Sequence, residues 1–110
     1  MPDKKLRILF FREGDWWIAQ CLEHDIAAQA NGGLREAEYE LGRVLITYVG
    51  ACLAEGLEPF EGMAPAPERL QEMWTKDAEP VVLTKLPNFR IGGMPEARLF
   101  SRDVIEARVC

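Results

Sequence analysis

The sequence predicts a single α+β domain: an antiparallel sheet of three or more strands, packed against one long helix and a second, short helix. Three observations predict it. Residues 4–22 read as two apolar runs separated by a glycine turn. Residues 34–55 carry apolar side chains at the 3.6-residue period of a core-facing helix. The chain has 110 residues, 48% of them hydrophobic, which suits one domain with one core.

The first strand is expected over residues 4–12. Leu6, Ile8 and Phe10 share one face, and Leu9 and Phe11 share the other. Apolar residues on both faces predict a strand covered on both sides. Glu13-Gly14-Asp15 makes a turn, so residues 16–22 return as the second strand of a hairpin. On that strand Trp17, Ala19 and Cys21 face one way, and Trp16, Ile18, Gln20 and Leu22 the other. The corner Leu22-Glu23-His24-Asp25 is polar and reads as a solvated turn. Residues 26–30 form a third strand with small side chains, which fit either a close approach by another element or a lightly packed edge.

Asn31-Gly32-Gly33 breaks the pattern before the long helix. With Leu34 as origin and about 100° per residue, Leu41, Leu45, Tyr48 and Cys52 lie within roughly 40° of it, and Ala37 just beyond. This stripe should lie on the sheet. Glu38 falls inside the same arc and needs either a partner or a route to solvent. A second apolar group, Tyr39, Ile46 and Leu53, lies about 100–140° away. It reads as the margin of a wide core face or as a subunit or partner contact. Gly56 is placed to end the helix.

Residues 57–67 form a proline-rich linker, with Pro65 or Pro67 at the start of a short helix over 68–76. Leu70, Met73 and Trp74 would dock that helix on the core. The β-branched run 81–86 is expected to be a strand, 89–91 a further short one, and 99–100 extended. Ser101 would cap a last helical turn over 102–108. The core is thus 4–55 and the C-terminal helix and strand segment 68–110.

The net charge of −5 suits nucleic-acid phosphates poorly and a basic protein partner better. No apolar run approaches the ~18 residues of a membrane helix. The N-terminus lacks a secretory signal, so a cytoplasmic protein is expected. Cys21, Cys52 and Cys110 are widely spaced and the chain has one histidine, which argues against a zinc site or a disulfide framework. Cys21 and Cys52 are expected as small buried side chains. Glu23, His24 and Asp25 are the one clustered acid–base set, but neighbours on an extended corner point different ways. No phosphate-binding loop, nucleophile elbow or dinucleotide fingerprint is present. Residues 4–12 contain no Asp or Glu, which removes the strand carboxylates that metal-dependent ribonuclease-H chemistry needs. No catalytic residue, cofactor or metal ligand is therefore expected.

The run Trp17-Ile18-Ala19-Gln20-Cys21, its spacing to Leu34, and Leu34-Arg35-Glu36-Ala37 resemble the HicB-like antitoxin family. The resemblance spans about residues 6–53. Two positions depart from the pattern: Asn31 stands where the family has Gly, and Gly33 where it has a capping Thr or Ser. Residues 56–110 show no helix-turn-helix or ribbon-helix-helix reader, so operator binding is not carried over. The resemblance implies a partly ribonuclease-H-like fold without catalytic carboxylates. It also implies a non-enzymatic protein that neutralises a small basic HicA-type ribonuclease and self-associates, here as a homodimer using Tyr39, Ile46 and Leu53. The alternative is a stand-alone oligomeric HicB-like domain with a ligand-binding or scaffold role.

Overall fold

The computed structural model describes residues 6–84 and 105–110. The elements are β1 (Leu6–Glu13), β2 (Trp16–Cys21), β3 (Ala27–Ala30), α1 (Leu34–Ala54), α2 (Glu68–Lys76), β4 (Glu79–Pro80) and β5 (Ile105–Val109). They build an α+β fold on one five-stranded mixed sheet in the order β3-β2-β1-β5-β4. The β1-β2-β3 half is antiparallel, as expected. β5 adds parallel to β1, with Leu6 opposite Ile105 and Phe10 opposite Val109.

The two-faced pattern of β1 sets the layers. Leu6, Ile8 and Phe10 bury one way with Ala19 and Cys21 of β2, under Ala37, Leu41, Leu45 and Val49 of α1. Leu9 and Phe11 bury the other way with Ile18 and Leu22, under Leu70 and Trp74 of α2. The central strand is therefore dry on both sides, each large apolar side chain contributing roughly 1.5–3 kcal/mol of burial. The stripe on α1 is wider than the six positions expected from the sequence, because Val49 is also fully buried.

Both ends of α1 are made by glycine backbone. Gly33 is the N-cap at φ 130, and its carbonyl accepts the Ala37 N–H at 3.1 Å. A Thr would be strained at that φ. At the other end Gly56 has φ 71. The Leu57 N–H reaches Cys52 O at 2.8 Å and the Gly56 N–H reaches Leu53 O at 3.1 Å, a Schellman stop.

The C-terminal segment differs from expectation. Residues 81–84 are not a strand: the ladder uses Glu79 and Pro80 against Val109 and Arg108. Val81 N–H still donates to Ala107 O at 3.0 Å, after which α1 captures the chain. Arg35 Nη1 donates to Val82 O at 2.8 Å, and Glu38 Oε2 accepts the Thr84 N–H at 2.8 Å. The expected helical turn over 102–108 is overturned within its described part, 105–108, which belongs to β5; 102–104 lie outside the described residues. Ile105, Ala107 and Val109 pack into the α1-side core, so the period of two overrides the short helical reading. The expected segments 89–91 and 99–100, the Ser101 cap and the Lys85–Leu86 end of the 81–86 run lie outside the described residues.

Candidate functional site

The polar corner after β2 is not a solvated turn. His24 is only 8% exposed and stacks on Phe60, with ring centroids 4.3 Å apart and planes at 12°. The reason is the 57–67 linker, which folds back over the corner. Asp25 N–H donates to Ala64 O at 2.8 Å, and Ala66 N–H donates to Leu22 O at 3.0 Å. Phe60 N–H donates to Tyr48 Oη at 2.9 Å, and the two rings are 5.3 Å apart. Phe60 sits at φ 70, a conformation few non-glycine residues hold without compensation. The stack on His24 and the bond to Tyr48 supply it.

Beside the corner lies a cleft of about 720 Å³, open to solvent and lined by Arg7, Glu23, His24, Pro65, Glu68 and Gln71 among others. β1 presents Arg7 here on the α2 side of the sheet. Glu23 Oε1 accepts the Arg7 backbone N–H at 2.7 Å, and Oε2 accepts from Arg7 Nε. Arg7 Nη2 donates to Gln71 Oε1 at 2.9 Å, and Gln71 Nε2 donates to Leu22 O at 3.0 Å. Arg7 also lies 5.6 Å from the Trp74 ring centroid, and Arg108 lies 4.5 Å from it. Two guanidinium groups thus hold one indole.

The acid–base set does not converge. Glu23 turns to Arg7 and His24 to Phe60, and Asp25 Oδ1 accepts from Gln20 Nε2 at 2.9 Å. Arg7, Glu23 and Gln71 bind one another, and Gln71 also reaches Leu22 O and Ala66 O, which makes this region a clamp between sheet, linker and α2. Cys21 beside it is fully buried, and burial pushes its thiol up to about 11. Burial also raises the Tyr48 phenol above its ordinary value. Among the described residues no group of three or more His, Cys, Asp or Glu is placed to hold a metal ion. β1 runs one residue further than expected, to Glu13, whose exposed carboxylate lies at the hairpin 3.9 Å from Arg69 Nη2.

The outer side of α1 presents the other surface. Tyr39 is 51% exposed, Ile46 is half-buried, and Leu53 packs against the core with Val81 and Val109. These three share the flank that carries Arg35, so they lie toward residues 81–84. After the helix the chain turns acidic. Glu55, Glu58, Glu61 and Glu68 are exposed, with no Lys or Arg between Arg43 and Arg69, and Leu57 among them is 58% exposed. The linker signal in the sequence was Phe60, an aromatic residue among prolines and glutamates with nothing local to pack on. No helix among the described residues is long and apolar enough to cross a membrane. No protein-family model, curated protein or solved structure matches the chain.

Proposed function

We propose that this chain is a HicB-like, non-enzymatic binding protein that neutralises a small basic HicA-type ribonuclease in the cytoplasm. The observation that carries the reading is the β1-β2-β3-α1 unit. The residues that resemble the family, Trp17 to Cys21 and Leu34 to Ala37, form its central strand and the first turn of its helix. That strand–strand–strand–helix order is how a ribonuclease-H-like fold begins. The divergence of Glu23, His24 and Asp25 supports a binding role over proton-transfer chemistry. The partner-facing surface is the acidic stretch that follows α1, where Glu55, Glu58, Glu61 and Leu57 are all exposed. A basic partner gains steering from the carboxylates and an apolar anchor from Leu57.

Co-expression with a small basic ribonuclease of the HicA type tests the proposal. Rescue of growth, lost on Glu58→Lys with Glu61→Lys, is the expected result. Toxicity unchanged by the native chain would remove the antitoxin reading. The alternative, a stand-alone oligomeric domain, is favoured by one separate observation: the sheet ends at an uncharged edge strand.

A further inference from the structure

β3 is the terminal strand of the sheet, and its backbone has a definite inward and outward set. The Cys21 N–H donates to Ile26 O at 2.9 Å, so that facing pair is hydrogen-bonded. Bonded and non-bonded pairs alternate along an antiparallel ladder. The pairs Ala19–Ala28 and Trp17–Ala30 are therefore the bonded ones, and Gln20–Ala27 and Ile18–Gln29 are not. The β1–β2 ladder agrees, because Leu22 N–H donates to Arg7 O and sends the even-numbered residues of β2 to β1. It follows that Ala27 and Gln29 point both N–H and C=O away from the sheet. Both residues are exposed, and no described residue hydrogen-bonds to these groups.

Edge strands are normally protected by charge, proline or a bulge. Ala27-Ala28-Gln29-Ala30 has none of these. We propose that two copies of this chain pair antiparallel through β3 about a two-fold axis at Ala28, joining their sheets into one. The register makes the strand complementary to itself. Ala27 of each copy meets Gln29 of the other, so every outward group finds a partner. Ala28 meets its own copy in the close, non-bonded pair, where a methyl group is small enough to fit.

The helix above supplies the rest of the contact. α1 lies chiefly over β3 and β2. Its Arg35 flank reaches Val82, on the β5 side of the sheet, so the opposite flank overhangs the free edge. Val44, 38% exposed, lies on that flank beside a shallow groove of about 390 Å³ shared with Tyr48, Glu40 and Arg43. Glu40 and Arg43 pair within the helix at 3.3 Å. Across a two-fold axis the helices run antiparallel, so each copy offers one acid and one base to the other. A heterologous strand would satisfy the edge but would not match this flank by symmetry.

Light scattering after size exclusion at micromolar concentration tests the proposal. The expected mass is twice the 12.5 kDa chain. Gln29→Pro removes an outward N–H without touching the β2 ladder, and should return the single-chain mass. Tyr39→Lys, on the other flank, should leave the dimer intact. Should Gln29→Pro lose its circular dichroism, Ala28→Cys in a Cys110→Ser background decides the matter, since it should cross-link to dimer on mild oxidation. A native single-chain mass overturns the proposal, as does a dimer in which Ala28→Cys fails to cross-link. A monomer that still binds a basic toxin would overturn this proposal alone and leave the proposed function standing.

Discussion

The carboxylate of Glu38 accepts the backbone N–H of Thr84 at 2.8 Å, inside the fold and 46 residues away in sequence. Glu38 is fully buried, and Arg35 Nη1 lies 2.9 Å from its other oxygen. The residue that looked misplaced on the core arc of α1 is what ties the C-terminal segment to the helix. Glu38→Ala removes the acceptor of the Thr84 N–H and the carboxylate beside Arg35, and should cost about 1–2 kcal/mol, since Thr84 and Arg35 both reach solvent. Urea denaturation measures it. Glu38→Gln keeps an acceptor for Thr84 and should cost less. An Ala variant as stable as the native chain would show that the Thr84 contact contributes nothing.

Phe60 combines a favourable stack with an unfavourable backbone. Removing the ring by Phe60→Ala should cost about 3 kcal/mol, as a buried aromatic does. Phe60→Gly loses the same ring but relieves the positive φ, worth about 1–2 kcal/mol. The glycine variant should therefore melt at the higher temperature of the two. The reverse order would mean that φ 70 at Phe60 is not strained.

The two glycines before α1 should behave differently. Gly33→Thr has open space for its side chain, yet the backbone at φ 130 opposes it. A loss of about 1–3 kcal/mol is expected, despite Thr being the better cap elsewhere. A Cβ at Gly32 would meet only the end of the exposed Glu36 side chain, which can swing away. Gly32→Ala should then be nearly neutral. Chemical denaturation of both variants separates backbone strain from crowding.

Cys21 links burial to alkaline stability. Its thiol is raised from 9.0 to about 11, first by desolvation. The folded state holds this proton more tightly than the unfolded chain does. Stability from this group is therefore complete below about pH 9 and is lost as pH rises towards 11, by roughly 2–3 kcal/mol. Cys21→Ala should flatten the stability profile across that window, read from urea midpoints at successive pH values. An equal alkaline decline in both proteins would place the titrating group elsewhere.

Much of the fold was legible because its signals are local. The hairpin follows from Gly14 between two alternating runs, the helix from its apolar period, and both layers from the two faces of β1. What was missed depends on distant partners. His24 reads as solvated until Phe60, 36 positions later, folds over it. Residues 81–84 have strand-forming side chains, but Arg35 and Glu38 take their backbone. Ile105 to Val109 alternates as a strand should, yet only its pairing with β1 decides against a short helix. Open edges are equally silent in sequence, since which backbone groups of Ala27 and Gln29 point outward depends on the register with β2.

The proposed function is tested most directly by titrating the purified chain against a small basic ribonuclease of the HicA type, while following RNA cleavage. Stoichiometric loss of cleavage, weakened by Glu58→Lys with Glu61→Lys, is the predicted result. Full cleavage in the presence of excess native chain would contradict it.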